Sequence, residues 1–413
     1  MTNSVKHCDT KNKTMKLLLL NATANTGSTG RIAEEIGLLA QQSGYEVRFA
    51  YGRKAVNSKL PLIKIGNKWD MRWHGVKSRM WDAHGFGSKR ATMALIKELE
   101  VWKPDIVNIH NLHGYYINIE LFFEYLKRVQ IPVVWTFHDC WPFTGHCSFF
   151  DRYDCRKWET ECHNCPNRKG YPESWFFDRS KTNYGLKKNI FNGLAKLTIV
   201  TPSAWLAAHV KHSFLKHYPV KVIHNGLDLE VFSPVSDDGI YNKYGINPKP
   251  FVLGVASTWD KRKGLDDFIA LRESLSADIQ IVLVGLTAEQ ALGLPTGIVA
   301  VSRTENVREL AALYSAAAVF VNPTYVDNFP TTNIEALACG TPVITYRTGG
   351  SPEAVDAETG VVIEKGDLEG MKKAIESVVK NGKLFYSVKC RERAVRLFDK
   401  EERYREYLET LRI

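Results

Sequence analysis

A chain of 413 residues is long enough for two domains that each bury their own core, and 44% hydrophobic with 24% charged residues excludes a largely disordered protein. Its 55 Lys and Arg against 45 Asp and Glu leave a formal charge of +10. That balance suits a phosphorylated ligand or an anionic membrane surface, while the absence of a dense basic block argues against a nucleic-acid partner.

The polar start, residues 1–15, reads as a short tail rather than a secretory signal, because it lacks a long apolar core. The longest charge-free stretch, Leu310 to Tyr325, is too short to span a bilayer and is broken by Ser315, Asn322 and Pro323. A cytoplasmic protein is expected, with domains at 16–229 and 230–400 and a last helical segment, 401–413, expected to cross back to the first domain.

Lys16 to Asn21 is an apolar strand, followed by the loop Ala22 to Gly30 and a helical pattern from Arg31 to Ala40. A strand, a small-residue turn and a helix bring backbone N–H groups close to a diphosphate, which makes Gly27 and Gly30 candidates, although a dinucleotide fingerprint is absent. Glu46 to Ala50 is a second strand. Basic and aromatic residues mix at Lys68-Trp-Asp-Met-Arg-Trp-His74 and Arg79-Met-Trp81, a pattern that fits either an interfacial face or a helix turned to the core. Two further strands, Pro104 to His110 and Ile131 to Phe137, end at His110, His113 and His138-Asp139, where the carboxyl ends of parallel strands meet a ligand crevice.

The chain then changes character, with Cys140, Cys147, Cys155, Cys162 and Cys165 within twenty-six residues. Cys162-His-Asn-Cys165 has the two-residue gap of a zinc knuckle, and in a reducing compartment clustered cysteines point to metal before disulfide. Cys147, Cys155, Cys162 and Cys165 make a four-thiolate set for a structural zinc, with His146 and His163 as substitutes and Cys140 as a spare. Free buried thiols or a disulfide are the competing reading.

The stretches Lys196 to Ser203 and Val220 to Asp228 close the first domain and precede a fresh start, a strand Phe251 to Ala256, a basic turn Ser257-Thr-Trp-Asp-Lys-Arg-Lys-Gly264 and a helix Leu265 to Ser274. Gln280 to Gly285 and a helix Glu305 to Ala317 follow. The strand Ala317 to Val321 leads through the loop Asn322 to Pro330 into a helix Thr331 to Cys339, closed by Gly340. A strand Thr341 to Tyr346, the pair Gly349-Gly350 and a helix start at Ser351 complete this unit. Asp327 and Glu335 stand where a parallel sheet binds its ligand. Glu335 also follows Thr332 by three residues, the spacing of a capping box, so a cap and a ligand role are both open.

Asp327, seven residues, then Glu335-Ala-Leu-Ala-Cys-Gly-Thr-Pro-Val343 resembles the nucleotide-sugar site of the retaining family 4 glycosyltransferases. The resemblance runs from about Lys16 to the chain end. It implies an α/β fold of two Rossmann-like, doubly wound domains facing a cleft, the GT-B architecture, with the donor on the C-terminal half. Asp327, where the family has Glu, and the backbone of Asn328 and Phe329 would hold the donor sugar, and Glu335 the ribose. Lys263 matches the family lysine that neutralises the donor diphosphate. The arginine position falls on Thr258, so Lys261 or Arg262 would supply that charge. His138 and Asp139 match the position beside sugar and acceptor, and Gly27 and Gly30 the glycine turn.

The cysteine loop directly after His138-Asp139 looks like the branch found in colanic-acid-type exopolysaccharide synthesis. A retaining hexosyl transfer from a nucleotide sugar to a lipid-linked glycan of a surface polysaccharide, at the inner-membrane surface and with no cofactor required for the chemistry, is therefore expected. A nucleotide-sugar epimerase of the same fold and a non-catalytic carbohydrate-binding protein are the alternatives.

Overall fold

The structure, a computed structural model, describes residues 14–237 and 239–412, so most of the expected tail lies outside the described residues. Among the described residues, thirteen strands fall into two parallel sheets. In the first, β1 (Lys16–Asn21), β2 (Glu46–Tyr51), β3 (Leu62–Lys64), β4 (Ile106–Ile109), β5 (Val133–Thr136), β6 (Leu197–Thr201) and β7 (Val220–Val222) lie in the order β3-β2-β1-β4-β5-β6-β7. In the second, β8 (Phe251–Val255), β9 (Gln280–Val284), β10 (Ile298–Val301), β11 (Val319–Asn322), β12 (Val343–Tyr346) and β13 (Gly360–Ile363) lie in the order β10-β9-β8-β11-β12-β13.

The apolar runs of the sequence became the central strands. Leu17 to Leu20 are fully buried, and the four residues of β11 and of β12 are buried, because crossover helices cover both faces of a parallel sheet. The edge strands β3 (Leu-Ile-Lys) and β10 (Ile-Val-Ala-Val) are short and half-exposed, three and four residues that do not stand out from their surroundings.

Among the described residues the helices are α1 (Gly27–Gln42), α2 (Lys68–Trp81), α3 (Lys89–Trp102), α4 (Ile119–Val129), α5 (Ser180–Phe191), α6 (Ala204–His212), α7 (Gly239–Tyr244), α8 (Leu265–Ser274), α9 (Ala288–Leu292), α10 (Val307–Ala316), α11 (Thr331–Ala338), α12 (Leu368–Asn381), α13 (Leu384–Phe398) and α14 (Lys400–Leu411). Two expectations change. The first helix starts at Gly27, not Arg31, which puts Gly30 inside its first turn, packed so closely on Thr23 that a Cβ would sit 2.7 Å from its hydroxyl. The helix expected from Ser351 is a single 3-10 turn, Ser351–Ala354, before the chain extends again at Val355.

By packing, the chain divides into two compact units. One runs through Thr136 and takes in Ile190–Thr198 and the segment from Leu408. The other holds Phe137–Asn189 and Ile199–Tyr407. The strand order of the second sheet reverses between β8 and β11. At such a switch point the loops after the two strands diverge to opposite faces and leave a crevice between them.

Candidate active site

The loops that leave β8 and β11 are the basic turn and the acid loop of the sequence. In the basic turn, Asp260 Oδ1 accepts from the N–H groups of Arg262 (2.9 Å) and Lys263 (3.1 Å), winding Lys261–Lys263 into a 3-10 turn. Gly264 ends it at φ +75°, where a Cβ would come within 2.4 Å of the Pro323 carbonyl oxygen.

Arg262 then ties the two loops together. Its carbonyl accepts from the Tyr325 N–H (2.8 Å), and its guanidinium donates to the Val326 carbonyl (3.2 Å). Lys263 Nζ reaches Asp327 Oδ2 at 2.6 Å, with both side chains about one-fifth exposed. Of the two cations offered for the missing arginine at Thr258, Arg262 is engaged in this clamp, whereas Lys261 is exposed.

The loop after β12 braces the acid loop from the other side. Gly349, at φ +53°, packs so tightly that a Cβ would lie 1.7 Å from the Asp327 carbonyl oxygen, and the Gly350 N–H donates to the Asn328 carbonyl at 2.8 Å. The side chains of Asn328 and Phe329 face inward. Asn328 accepts from Ser203 Oγ (2.6 Å) and donates to the His138 carbonyl (3.1 Å), and Phe329 stacks on His224 with ring centroids 4.8 Å apart. What these two residues can offer a ligand is their main chain.

Glu335 is not a cap. Pro330 is the N-cap of α11, so Glu335 lies in the second turn, and its Oε2 accepts from the Tyr314 hydroxyl at 3.0 Å. Burial, with the adjacent Glu335 carboxylate, pushes the Tyr314 phenol well above its ordinary range, so it remains a donor. Asp267, in the first turn of α8, accepts from the hydroxyls of Tyr325 and Tyr346, both at 3.1 Å. Burial raises its carboxyl, with the two hydroxyls pulling the other way.

Two family models divide this chain between them. "Glycosyltransferase Family 4" matches residues 30–231, and "Glycosyl transferases group 1" matches 237–395, the segment that carries Lys263, Asp327 and Glu335. The chain belongs to the group 1 and family 4 glycosyltransferases.

The glycosyltransferase is 23% identical over 371 residues to a protein of Escherichia coli K12 named for colanic acid biosynthesis, glycosyl transferase WcaC, a match covering 86% of this chain and 88% of that one. Its fold is that of GT-B enzymes. Sucrose-phosphate synthase from Thermosynechococcus elongatus superposes with a TM-score of 0.69 at 18% identity, over 96% of this chain and 98% of that chain. Anabaena HepE in complex with UDP gives 0.68 at 16%, over 96% and 99%.

The other expected site residues of the glycosyltransferase take varied places. His138 is half-buried and offers its carbonyl to Asn328. Asp139 is buried, and its Oδ1 accepts from the Trp141 N–H at 2.9 Å, which starts the 3-10 turn Trp141–Phe143. His110 is interior, its Nε2 3.0 Å from Asn108 Oδ1 and its carbonyl accepting from the Trp135 indole at 3.1 Å. It is built into the sheet rather than turned to a ligand. Gly27 opens α1 at φ +68°, and no side chain caps that helix, whose first turn has no acidic residue.

The expected zinc ligands Cys147, Cys155, Cys162 and Cys165 are all free thiols. Among the described residues, no three Cys, His, Asp or Glu side chains already stand in an arrangement that holds a metal ion.

Three positioning residues escaped the sequence reading. Ser203, Glu353 and Tyr314 act across 125, 149 and 21 positions of sequence respectively, beyond the reach of any local motif. The Glu353 carboxylate caps α6, accepting from the N–H groups of Ala204 and Trp205, both at 2.8 Å.

Proposed function

We propose that this glycosyltransferase moves a sugar from a nucleoside-diphosphate donor to a glycan acceptor with retention of anomeric configuration. The carrying observation is the Lys263–Asp327 pair at the β8/β11 switch point, with Glu335 on the helix that follows. Lys263 and Lys261 place positive charge where the diphosphate leaves, Asp327 and the main chain of Asn328 and Phe329 meet the sugar, and Glu335, oriented by Tyr314, accepts from the ribose hydroxyls. The acceptor oxygen bonds to the anomeric carbon on the face from which the diphosphate departs. The bond from that carbon to the phosphate oxygen breaks, and the leaving phosphate takes the acceptor's proton. The kinship with a colanic-acid protein favours a surface polysaccharide as product.

The reading extends to a lipid-linked acceptor met at the inner-membrane surface. Helix α2 buries His74, Gly75 and Ser78, while Trp69 (74% exposed), Trp73 (57%) and Val76 (42%) face solvent. Large apolar groups outside and small or polar ones inside invert the usual pattern of a core-packed helix. Arg72 lies 5.2 Å over the Trp69 ring and Lys77 5.9 Å from that of Trp73, a belt of indoles and cations that matches anionic headgroups. No helix among the described residues is long and apolar enough to cross a membrane.

A panel of nucleotide sugars, incubated with enzyme and membranes that carry the lipid-linked acceptor pool and read by mass spectrometry, tests the reaction. Transfer with release of nucleoside diphosphate supports it; an isomerised donor or no change rejects it. Co-sedimentation with phosphatidylglycerol vesicles, lost in a Trp69→Ser/Trp73→Ser variant, tests the membrane face.

A further inference from the structure

Between β5 and α5 the chain runs from residue 137 to 179 with three single 3-10 turns as its only regular structure. Loops of this length without helix or strand are uncommon in compact domains and need another source of order. Part of it is an aromatic cluster: Phe143 lies 5.1 Å and Phe150 4.8 Å from Trp158, ring centroid to centroid, and His209 packs edge-on to Trp158. Beside this cluster the loop's thiols gather.

Cys147, Cys155, Cys162 and Cys165 line one cavity of about 20 Å³, with His146 and His163 at its wall. That is room for a single water or ion. The Gly145 N–H donates to Cys162 Sγ at 3.2 Å. Gly145 is the residue that permits this approach, since a Cβ there would lie 2.8 Å from that of Cys162 and 2.1 Å from the Ser180 carbonyl oxygen. Between Cys162 and Cys165, Asn164 takes φ +45°, the left-handed turn that lets two cysteines three apart face the same point.

From this convergence we infer that Cys147, Cys155, Cys162 and Cys165 bind one zinc ion, which orders the loop. Four thiols around a one-ion cavity match the tetrahedral, closed coordination of structural zinc. Each thiol gives its proton to solvent on binding, so Zn²⁺ and four thiolates leave a net charge of −2. Two cations stand close enough to offset it. Lys157 Nζ donates to the carbonyls of His163 and Asn164 (3.0 and 3.1 Å), and the buried Lys187 Nζ to those of Trp141 and Thr144 (2.7 and 3.1 Å). Coordination asks the four side chains to rotate from one another onto a shared centre. With no open position, the ion does no chemistry.

The inference is independent of the reaction proposed above and is read without it. Enzyme purified without chelator should contain about one equivalent of zinc, and cobalt exchanged into it should give a thiolate-to-metal charge-transfer band with the intense visible transitions of tetrahedral coordination. Cys162→Ser and Cys165→Ser should each lose the metal, whereas Cys140→Ser and Cys390→Ser, outside the set, should retain it. Chelation should expose the 140–178 segment to limited proteolysis. Zinc below about half an equivalent in the wild-type enzyme, with none taken up after phosphine reduction, overturns the inference whatever the variants do. Recovery of disulfide-linked peptides joining these cysteines from reduced, re-purified protein overturns it as well.

Discussion

Lys263 Nζ and Asp327 Oδ2 lie 2.6 Å apart, sixty-four positions apart in sequence, and their ion pair joins the turn after β8 to the loop after β11. Each charge holds the other in place before a donor arrives. A diphosphate entering the switch-point crevice would draw the ammonium toward itself and release the carboxylate to the sugar hydroxyls. Replacing Lys263 by Ala should therefore lower turnover by about 10²–10³-fold, the usual cost of removing one preorganised charge contact. Steady-state release of nucleoside diphosphate measures it, and a near-normal rate would take the phosphate role away from Lys263.

The Tyr314 hydroxyl orients Glu335 across 3.0 Å, and Tyr314 is fully buried. Tyr314→Phe keeps the ring packing and removes one hydrogen bond to a carboxylate, about 1.5–3 kcal/mol where the acceptor is charged. The expected result is a roughly tenfold or larger rise in donor KM with kcat little changed. An unchanged KM, with folding intact by circular dichroism, would show that Glu335 does not hold the nucleotide.

Gly349 permits the close contact between the loops after β11 and β12. Gly349→Ala would place a methyl 1.7 Å from the Asp327 carbonyl oxygen at φ +53°. Overpacking costs about 1–3 kcal/mol and the left-handed backbone about 1–2 more, so the loop must shift or the protein lose stability. Activity should fall at least about tenfold, since a 1 Å misplacement can cost more than that. Thermal unfolding and turnover, measured together, check this; a wild-type rate would mean that Asp327 needs no such brace.

A pH effect follows from His74 on α2. His74 Nε2 accepts from the N–H groups of Gly85 (3.1 Å) and Gly87 (3.3 Å), so Nδ1 carries the proton and donates to Ser88 Oγ (2.9 Å). Burial, reinforced by the Lys77 charge, lowers its pKa to about 3. The folded state thus holds His74 neutral while the unfolded chain binds a proton below about pH 6.5. Stability from this residue is complete above that value and falls by about 1.4 kcal/mol per unit as the pH drops toward 3, or roughly 2 kcal/mol by pH 5. Urea unfolding at pH 7 and pH 5 measures the loss. In His74→Gln, which does not titrate, that part of the pH dependence should vanish; an identical loss would place the acid sensitivity elsewhere.

The sequence by itself determined the two parallel sheets, their central strands and the two loops that carry charge. Buried strands must be continuously apolar, and Gly264, Gly340 and Gly349 occupy positive-φ positions that ordinary side chains rarely adopt. It also carried the family match, because Asp327, Glu335 and the run to Val343 are contiguous.

What needed tertiary structure was every choice among partners far apart in the chain. Thr332 and Glu335 have capping-box spacing, yet the N-cap is Pro330, two residues before Thr332, and Tyr314 donates to the carboxylate instead. Arg262 reads as a spare cation for phosphate, but its guanidinium is spent on the Val326 carbonyl. The tryptophans of α2 have the spacing of either a buried or an exposed face, and only the packing of His74 and Ser78 inward turns Trp69 and Trp73 outward. Local spacing fixes which groups share a face. Which face is buried, and which of several acceptors a donor reaches, depends on what the rest of the chain brings alongside.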